Sequence, residues 1–241
     1  MLRRIFNKIL RIGKIKFQLE SVENINFFRN LENSAILYSQ LDKKSKELIS
    51  PFMPYSRSQL AQDLFALSFT NNLEPKFFVE FGATDGVDGS NTWLLEKKLG
   101  WKGILAEPAK IWHKSLFLNR NCDIETKCIA KETGRIYEFL EVCDSEESSP
   151  TLSTLKKFSE HNDWAKNIRE KNAKKYQVET LSLDDLLKKY NAPYEIQFLS
   201  IDTEGSELDI LKGYSFKNHK IKSICVEHNN VARTRMMILN Y

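Results

Sequence analysis

The chain has 241 residues, of which 41% are hydrophobic and 28% are charged, a composition typical of a folded globular protein. The 36 basic and 32 acidic residues leave a formal net charge of +4, which is too small to indicate a nucleic-acid partner. No apolar run approaches the roughly 18 residues of a membrane span, and the N-terminus lacks the apolar core and cleavage site of a signal peptide. The four cysteines show no metal-binding spacing. These features favour a cytoplasmic protein.

The N-terminal residues 1–19 carry six basic side chains and no acidic one, and their apolar residues are spaced for one helical face. Such a segment can lie on the inner face of an anionic membrane. Alternatively, it forms a helix that covers the domain or a partner, with its basic face in water. We predict a basic, helix-rich extension over residues 1–55 and one main domain over residues 56–241.

The main domain alternates apolar strand-like runs with helical ones. The predicted strands are 77–81, 103–106, 124–130, 136–142, 197–201 and 224–226, and the predicted helices are 59–67 (capped by Ser56 or Ser58), 90–99, 111–118, 180–190 and 207–211 (capped by Gly213). Residues 144–176 interrupt this pattern with a charged, helix-like stretch around Trp164, which reads either as a lid or as a solvated helix pair. The alternation predicts an α/β fold with a mostly parallel sheet and helices on both faces.

The first predicted strand enters the loop VEFGATDG, in which Gly82 and Gly86 would let the backbone approach a ligand closely. The loop fits neither the phosphate-binding P-loop nor the GxGxxG dinucleotide pattern. Its acidic residues, Glu80 and Asp85, would repel a pyrophosphate but suit a cationic ligand. We therefore predict that this loop binds the sulfonium nucleoside S-adenosylmethionine.

The next strand ends in the sequence ILAEP, which places Glu107 at the carboxyl end of the strand. A carboxylate there can accept hydrogen bonds from both hydroxyls of a ribose, as in other nucleotide-binding βαβ units. We predict that Glu107 holds the cofactor's ribose. The end of the third strand, near Ile129 and Ala130, is the expected place for the adenine, and Cys128 reads as a core residue.

A later apolar strand opens into the sequence SIDTEGSELD, so that Asp202 and Glu204 should face the same crevice as Gly82 if the strands are neighbours. These carboxylates could orient an acceptor hydroxyl, bind the cofactor's ammonium group or hold a divalent ion. Glu207 could simply complement the positive end of the following helix.

The last strand ends in VEHNN and delivers His228 to the same edge of the sheet. Methyl transfer needs alignment of donor and acceptor and removal of a hydroxyl proton, and a neutral imidazole suits the second task. His228 is therefore the candidate general base.

Taken together and in order, VEFGATDG, ILAEP, LSIDTEGSELDILKG and VEHN resemble the FkbM family of S-adenosylmethionine-dependent methyltransferases, as do SQLAQD and SNTWLLEKKLGWKG. The similarity runs from about residue 58 to the C-terminus. The resemblance implies a Rossmann-like methyltransferase fold and cofactor contacts from Glu80, Gly82, Asp85 and Glu107. It also places Asp202 and Glu204 near the transfer site.

The activity that the resemblance implies is O-methylation of a hydroxyl on a sugar, a glycan or another secondary metabolite. Methyltransferase folds of this type normally end with a helix and an antiparallel strand pair, and residues 230–241 suffice for the helix alone. We therefore expect the fifth strand to keep an unpaired edge. The alternative function is a non-catalytic binding or assembly protein that keeps the sheet and has lost activity.

Overall fold

The structure is a computed structural model that describes residues 22–240 except 71, 144, 146–148, 160–165 and 230. The predictions for residues 1–19 and for the stretch around Trp164 lie outside the described residues.

The elements follow in chain order. The helices are α1 Val22–Gln40, α2 Lys43–Ile49, α3 Gln62–Ser68, α4 Trp93–Leu99, α5 Lys110–Asn119, α6 Lys156–Ser159, α7 Lys166–Asn172, α8 Leu183–Lys189, α9 Glu207–Gly213 and α10 Ala232–Leu239. The strands are β1 Phe77–Phe81, β2 Lys102–Ala106, β3 Asp123–Glu125, β4 Cys128–Ile129, β5 Ile136–Val142, β6 Thr154–Leu155, β7 Ala173–Leu181, β8 Glu195–Ile201 and β9 Lys220–Val226. Short 3-10 helices occupy Ser50–Tyr55 and Pro150–Leu152.

The main sheet has five strands in the order β3-β2-β1-β8-β9, and every pair in it is parallel. The predicted α/β fold with a mostly parallel sheet is therefore confirmed. Because β1 lies between β2 and β8, the carboxyl ends of three strands that carry predicted site residues meet at one edge.

Both faces of this sheet are covered by helices, as predicted. Side chains alternate along each strand, so that Val79 and Phe81 pack with α8 and α9 on one face, while Phe78 packs with α3, α4 and α5 on the other. Long apolar runs are typical of strands that are buried on both faces.

A second, four-stranded sheet in the order β4-β7-β5-β6 corrects two predictions. The predicted strand 124–130 is two strands, β3 and β4, which belong to different sheets. The predicted strand 136–142 exists as β5, but it pairs antiparallel with β6 and β7 and does not extend the parallel sheet. The end of the interrupting stretch 144–176, residues 173–176, lies in strand β7, which turns Val178 and Thr180 inward and leaves Gln177 and Glu179 exposed.

Two predicted helix ends also differ in detail. Helix α3 begins at Gln62, and the Ser58 hydroxyl oxygen accepts a hydrogen bond from the Asp63 amide at 3.0 Å. Gly213 is the last residue of α9 and does not adopt the left-handed conformation of a capping glycine. A glycine fits this position for a steric reason instead, because a Cβ atom there would lie 2.4 Å from the Lys131 carbonyl oxygen.

The last described helix, α10, follows β9 as expected. In the described part of the chain, β9 pairs with β8 alone and so forms an edge of the main sheet. None of the described helices is both long and apolar enough to cross a lipid bilayer.

Candidate functional site

A cavity of about 1250 Å³ opens at the carboxyl ends of the parallel strands. On the sheet side it is lined by Gly82, Glu107, Asp202 and Glu227, which follow β1, β2, β8 and β9. It is also lined by residues of the second sheet and by most of residues 149–155. This is the edge at which α/β sheets bind their ligands.

Gly82 is required by the neighbouring strand. Its φ is +77°, and a Cβ atom there would lie 1.9 Å from the Asp202 carbonyl oxygen. The ends of β1 and β8 are therefore in direct backbone contact, which confirms that these two strands are neighbours. Gly86 also has a positive φ, but its Cα faces α5, where a Cβ atom would lie 2.6 Å from Arg120 Cγ.

The Glu80 side chain points away from the cavity and is buried. Its carboxylate accepts hydrogen bonds from the Ser90 hydroxyl, the Asn91 amide and the Thr92 hydroxyl, and the Arg120 guanidinium lies 3.9 Å away. Burial raises the pKa of Glu80, and the charge of Arg120 opposes that rise. The structure thus gives Glu80 the task of anchoring the segment before α4, and its direct cofactor contact stays a prediction.

Asp85 also lies outside the cavity lining. Its carboxylate accepts hydrogen bonds from the amides of Val87 and Asp88, at 2.8 and 3.0 Å, and so shapes the turn that follows Gly82. Asp88 and Gly89, two residues that the sequence did not single out, line the cavity instead. The cofactor contacts of Asp85 and Gly86 stay predictions.

Glu107 lies at the cavity, where the sequence predicted it, and is only 5% exposed. One of its carboxylate oxygens accepts a hydrogen bond from the Thr84 amide at 2.9 Å, and the other accepts one from the Ala109 amide at 2.8 Å. Burial raises the pKa of Glu107 to about 7, and the nearby charges of Glu141 and Asp202 add to the rise. Each oxygen keeps a second lone pair for a ligand hydroxyl.

Apolar side chains line the cavity beside Glu107. Pro108, Trp112, Ile129 and Phe139 lie here, so the predicted adenine position near Ile129 is an apolar slot, whereas Ala130 is outside the lining. Cys128 is buried, and burial raises the pKa of its thiol to about 12. This agrees with the expectation of a core cysteine rather than a reactive one.

The cavity is also lined by Asp202, Glu204 and Glu227, which follow β8 and β9 and each have one carboxylate oxygen within 4.8 Å of the others. Burial and the charge of Asp202 raise the pKa of Glu227 far above its usual range, because two carboxylates this close cannot both ionise freely. Glu227 was missed at the sequence level, although it ends an apolar strand just as Glu107 does.

His228 follows Glu227 and lines the cavity as predicted. Its Nδ1 atom is buried and has no hydrogen-bond partner among the described residues. Five residues that the sequence analysis placed at one crevice therefore line one cavity in the structure. They are Gly82, Glu107, Asp202, Glu204 and His228.

Glu204 is held by a residue that no sequence pattern indicated. Arg169 of α7 is fully buried, and its guanidinium lies 2.6 Å from a Glu204 carboxylate oxygen. Three clustered carboxylates could ligate a divalent ion, but this ion pair already balances the charge of one of them.

Glu207 complements the start of its own helix rather than the cavity. Its carboxylate accepts hydrogen bonds from the amides of Thr203 and Gly205, both at 2.9 Å, in the loop that leads into α9, and it places a negative charge in the first turn of that helix. The structural role considered for Glu207 from the sequence therefore agrees with the geometry.

A parallel sheet with a glycine turn after one strand and a buried carboxylate at the end of its neighbour defines the class of Rossmann-like α/β proteins. Residues 80–238 match the family model described as the Methyltransferase FkbM domain. The match covers well over half of the chain, so the chain belongs to the FkbM methyltransferase family, and the resemblance found in its motifs is confirmed. Neither a curated protein nor a solved structure matches the chain.

Proposed function

We propose that the protein transfers a methyl group from S-adenosylmethionine to a hydroxyl oxygen of a sugar, a glycan or another secondary metabolite. The observation that carries the proposal is the buried Glu107 carboxylate, which faces the cavity next to the backbone of Gly82 and an apolar slot. This set of groups fits a nucleoside, because the carboxylate can accept the two ribose hydroxyls while the base enters the slot.

The charge of the cavity supports a cationic cofactor. Five carboxyl side chains line it, and none of its described lining residues is Lys or Arg. The five are Asp88, Glu107, Asp202, Glu204 and Glu227. The sulfonium and ammonium groups of S-adenosylmethionine suit such a lining, whereas the pyrophosphate of a nucleotide sugar or a nicotinamide cofactor would be repelled.

When bound, S-adenosylmethionine supplies a methyl group that is activated for in-line displacement. The protein must then align the acceptor oxygen and accept its proton. We assign the proton to His228, whose buried Nδ1 is not engaged by any described residue, and the orientation of the hydroxyl to Asp202 and Glu204.

Isothermal titration calorimetry with S-adenosylmethionine and S-adenosylhomocysteine tests the cofactor. We expect Glu107→Ala to weaken both affinities at least tenfold, since two charge-assisted hydrogen bonds are lost. His228→Ala should leave both affinities unchanged. Glu132→Gln is the control, because Glu132 is exposed, pairs with Arg135 and does not line the cavity. Absence of binding to the wild-type protein would refute the proposal.

A panel of neutral glycosides, with release of S-adenosylhomocysteine as the readout, tests the acceptor. For any acceptor that is found, His228→Ala should slow turnover without weakening cofactor binding. Equal loss of cofactor binding in the Glu107 and His228 variants would contradict the assigned roles. Cofactor binding without turnover of any hydroxylated acceptor would favour the non-catalytic alternative.

We also propose a cytoplasmic location, with peripheral membrane contact through residues 1–19. Cosedimentation with anionic liposomes tests this contact, and it should be lost when these residues are deleted. Binding that persists after the deletion would contradict it.

A further inference from the structure

Residues 149–155 form a wall of the cavity. All of these residues except Thr154 line the cavity. Strand β6 joins the wall to β5 by antiparallel pairing. The Ser153 hydroxyl oxygen accepts a hydrogen bond from the Val142 amide at 3.0 Å, which fixes the middle of the wall. The wall therefore lines the same cavity as the carboxylates that follow β8 and β9.

Arg169 connects the wall to the loop that carries Glu204. Its Nε atom donates to the Leu152 carbonyl oxygen at 2.8 Å, and a terminal guanidinium nitrogen donates to the Glu204 carboxylate at 2.6 Å. The Thr154 hydroxyl donates to the Glu204 carbonyl oxygen at 2.8 Å. The wall and the loop are therefore joined by both the side chain and the backbone of Glu204.

The backbone of Glu204 needs this support. Its φ is +58°, a left-handed conformation that is unfavourable for residues other than glycine. A free carboxylate side chain on such a residue would turn towards water. The fully buried Arg169 instead holds it at the cavity edge, within reach of Asp202 and Glu227.

A buried guanidinium contributes little to stability compared with apolar side chains of the same volume. The presence of the Arg169 guanidinium beside the cavity is explained if the Glu204 carboxylate has to be ionised and held in one orientation. We propose that Arg169 is a positioning residue, which holds the Glu204 carboxylate and the wall of residues 149–155 in the geometry that receives the acceptor hydroxyl. The assignment of an acceptor rests on the proposed function.

Hydrogen–deuterium exchange tests the connection without any ligand. In Arg169→Gln we expect exchange to accelerate about tenfold in both residues 150–155 and residues 202–206, because the guanidinium bonds the Leu152 carbonyl oxygen in one segment and the Glu204 carboxylate in the other. Glu204→Gln should accelerate residues 150–155 in the same way, and the double variant should add nothing further. Arg169→Lys should recover part of the protection, and Arg135→Gln, which removes an exposed guanidinium, should change neither segment.

Kinetics then separates positioning from a general structural role. In Arg169→Gln the affinity for S-adenosylhomocysteine should stay within about threefold of the wild type, since Arg169 bonds Leu152 and Glu204 and not Glu107, to which we assign the ribose. With an acceptor from the glycoside panel, the acceptor KM should rise and kcat should fall, while the KM for S-adenosylmethionine stays constant.

Several results would overturn the inference. These are acceleration confined to residues 166–172, unchanged exchange of residues 150–155 in Glu204→Gln, or a loss of cofactor affinity as large as that of Glu107→Ala. If Arg169→Gln shows no cooperative melting transition, Glu204→Gln decides, because it removes the same ion pair from the other side. Failure of the wild-type protein to bind any cofactor would refute the proposed function, but the exchange result would still decide the connection.

Discussion

Cofactor binding should depend on pH through Glu107. Burial raises the pKa of this carboxyl from 4.5 to about 7 in the free protein. A ribose whose two hydroxyls donate to Glu107 favours the ionised carboxylate, so the binding of S-adenosylhomocysteine should release a proton in the acidic range. The dissociation constant should then be about 30-fold higher at pH 5.5 than at pH 8.5, the ratio expected when a group with a pKa of about 7 must ionise first.

Calorimetry in matched buffers measures this dependence, and Glu107→Gln is the comparison that isolates it. The variant should bind more weakly at pH 8.5 and should lose most of the dependence, because glutamine does not ionise. Comparing the two proteins at each pH also cancels the titration of the ligand's own amino group. A wild-type affinity that is constant from pH 5.5 to 8.5, or the same dependence in both proteins, would refute the assignment of Glu107.

The same pKa has a consequence for stability with a defined sign. A carboxyl whose pKa is raised in the folded state binds more protons there than in the unfolded chain, so stability falls as pH rises from about 4.5 to about 7. The shift from 4.5 to about 7 corresponds to about 3 kcal/mol. Urea denaturation of the free protein should show this loss, and Glu107→Gln should reduce it. Stability that rises across this range in the wild type but not in the variant would contradict the argument.

Three further predictions concern the fold and the charge of the cavity. Gly82→Ala should destabilise the protein by more than about 3 kcal/mol in urea denaturation, because backbone strain and a clash with the Asp202 carbonyl oxygen add up. Gly134→Ala is the control and should cost far less, because Gly134 has a similar φ but open space around it. Equal losses of unfolding free energy in the two variants would contradict this. Arg120→Met should cost about 3–5 kcal/mol, because it removes the guanidinium beside the buried Glu80 carboxylate and leaves Glu96 paired with Lys97. A change under about 1 kcal/mol would contradict this argument. Raising NaCl from 0.05 to 0.5 M should weaken the binding of S-adenosylmethionine more than that of S-adenosylhomocysteine, whose sulfur is uncharged, since salt screens the acidic cavity. Equal losses of affinity for the two ligands in calorimetry would contradict this.

Several parts of the site were predictable because they depend on local sequence and on one general property of α/β sheets. Continuous apolar runs predict strands that are buried on both faces, and parallel strands bring their carboxyl ends to one edge. From these two facts Gly82, Glu107, Asp202 and His228 could be placed at one cavity. Glu227 could have been added by the same reasoning, since it too directly follows an apolar strand.

Side-chain direction explains the difference between Glu80 and Glu107. Glu80 lies within β1 and shares a sheet face with Phe78, so it points towards α4 and α5 and is bound there by Thr92 and Arg120. Glu107 lies one residue beyond the end of β2, where the chain has left the sheet and the side chain can face the ligand edge.

The sequence by itself thus determined the parallel sheet, its helical layers, the family and the edge at which the cavity lies, because periodicity and strand ends are local properties. Only the tertiary structure decided that β4 to β7 form a second sheet, since their pairing joins residues far apart along a charged stretch. Likewise, the contact between Arg169 and Glu204 joins two residues 35 positions apart, and no local pattern specifies it. The sequence therefore predicted the sheet edge at which the cavity opens, whereas long-range packing determined which side chains line that cavity and what holds them.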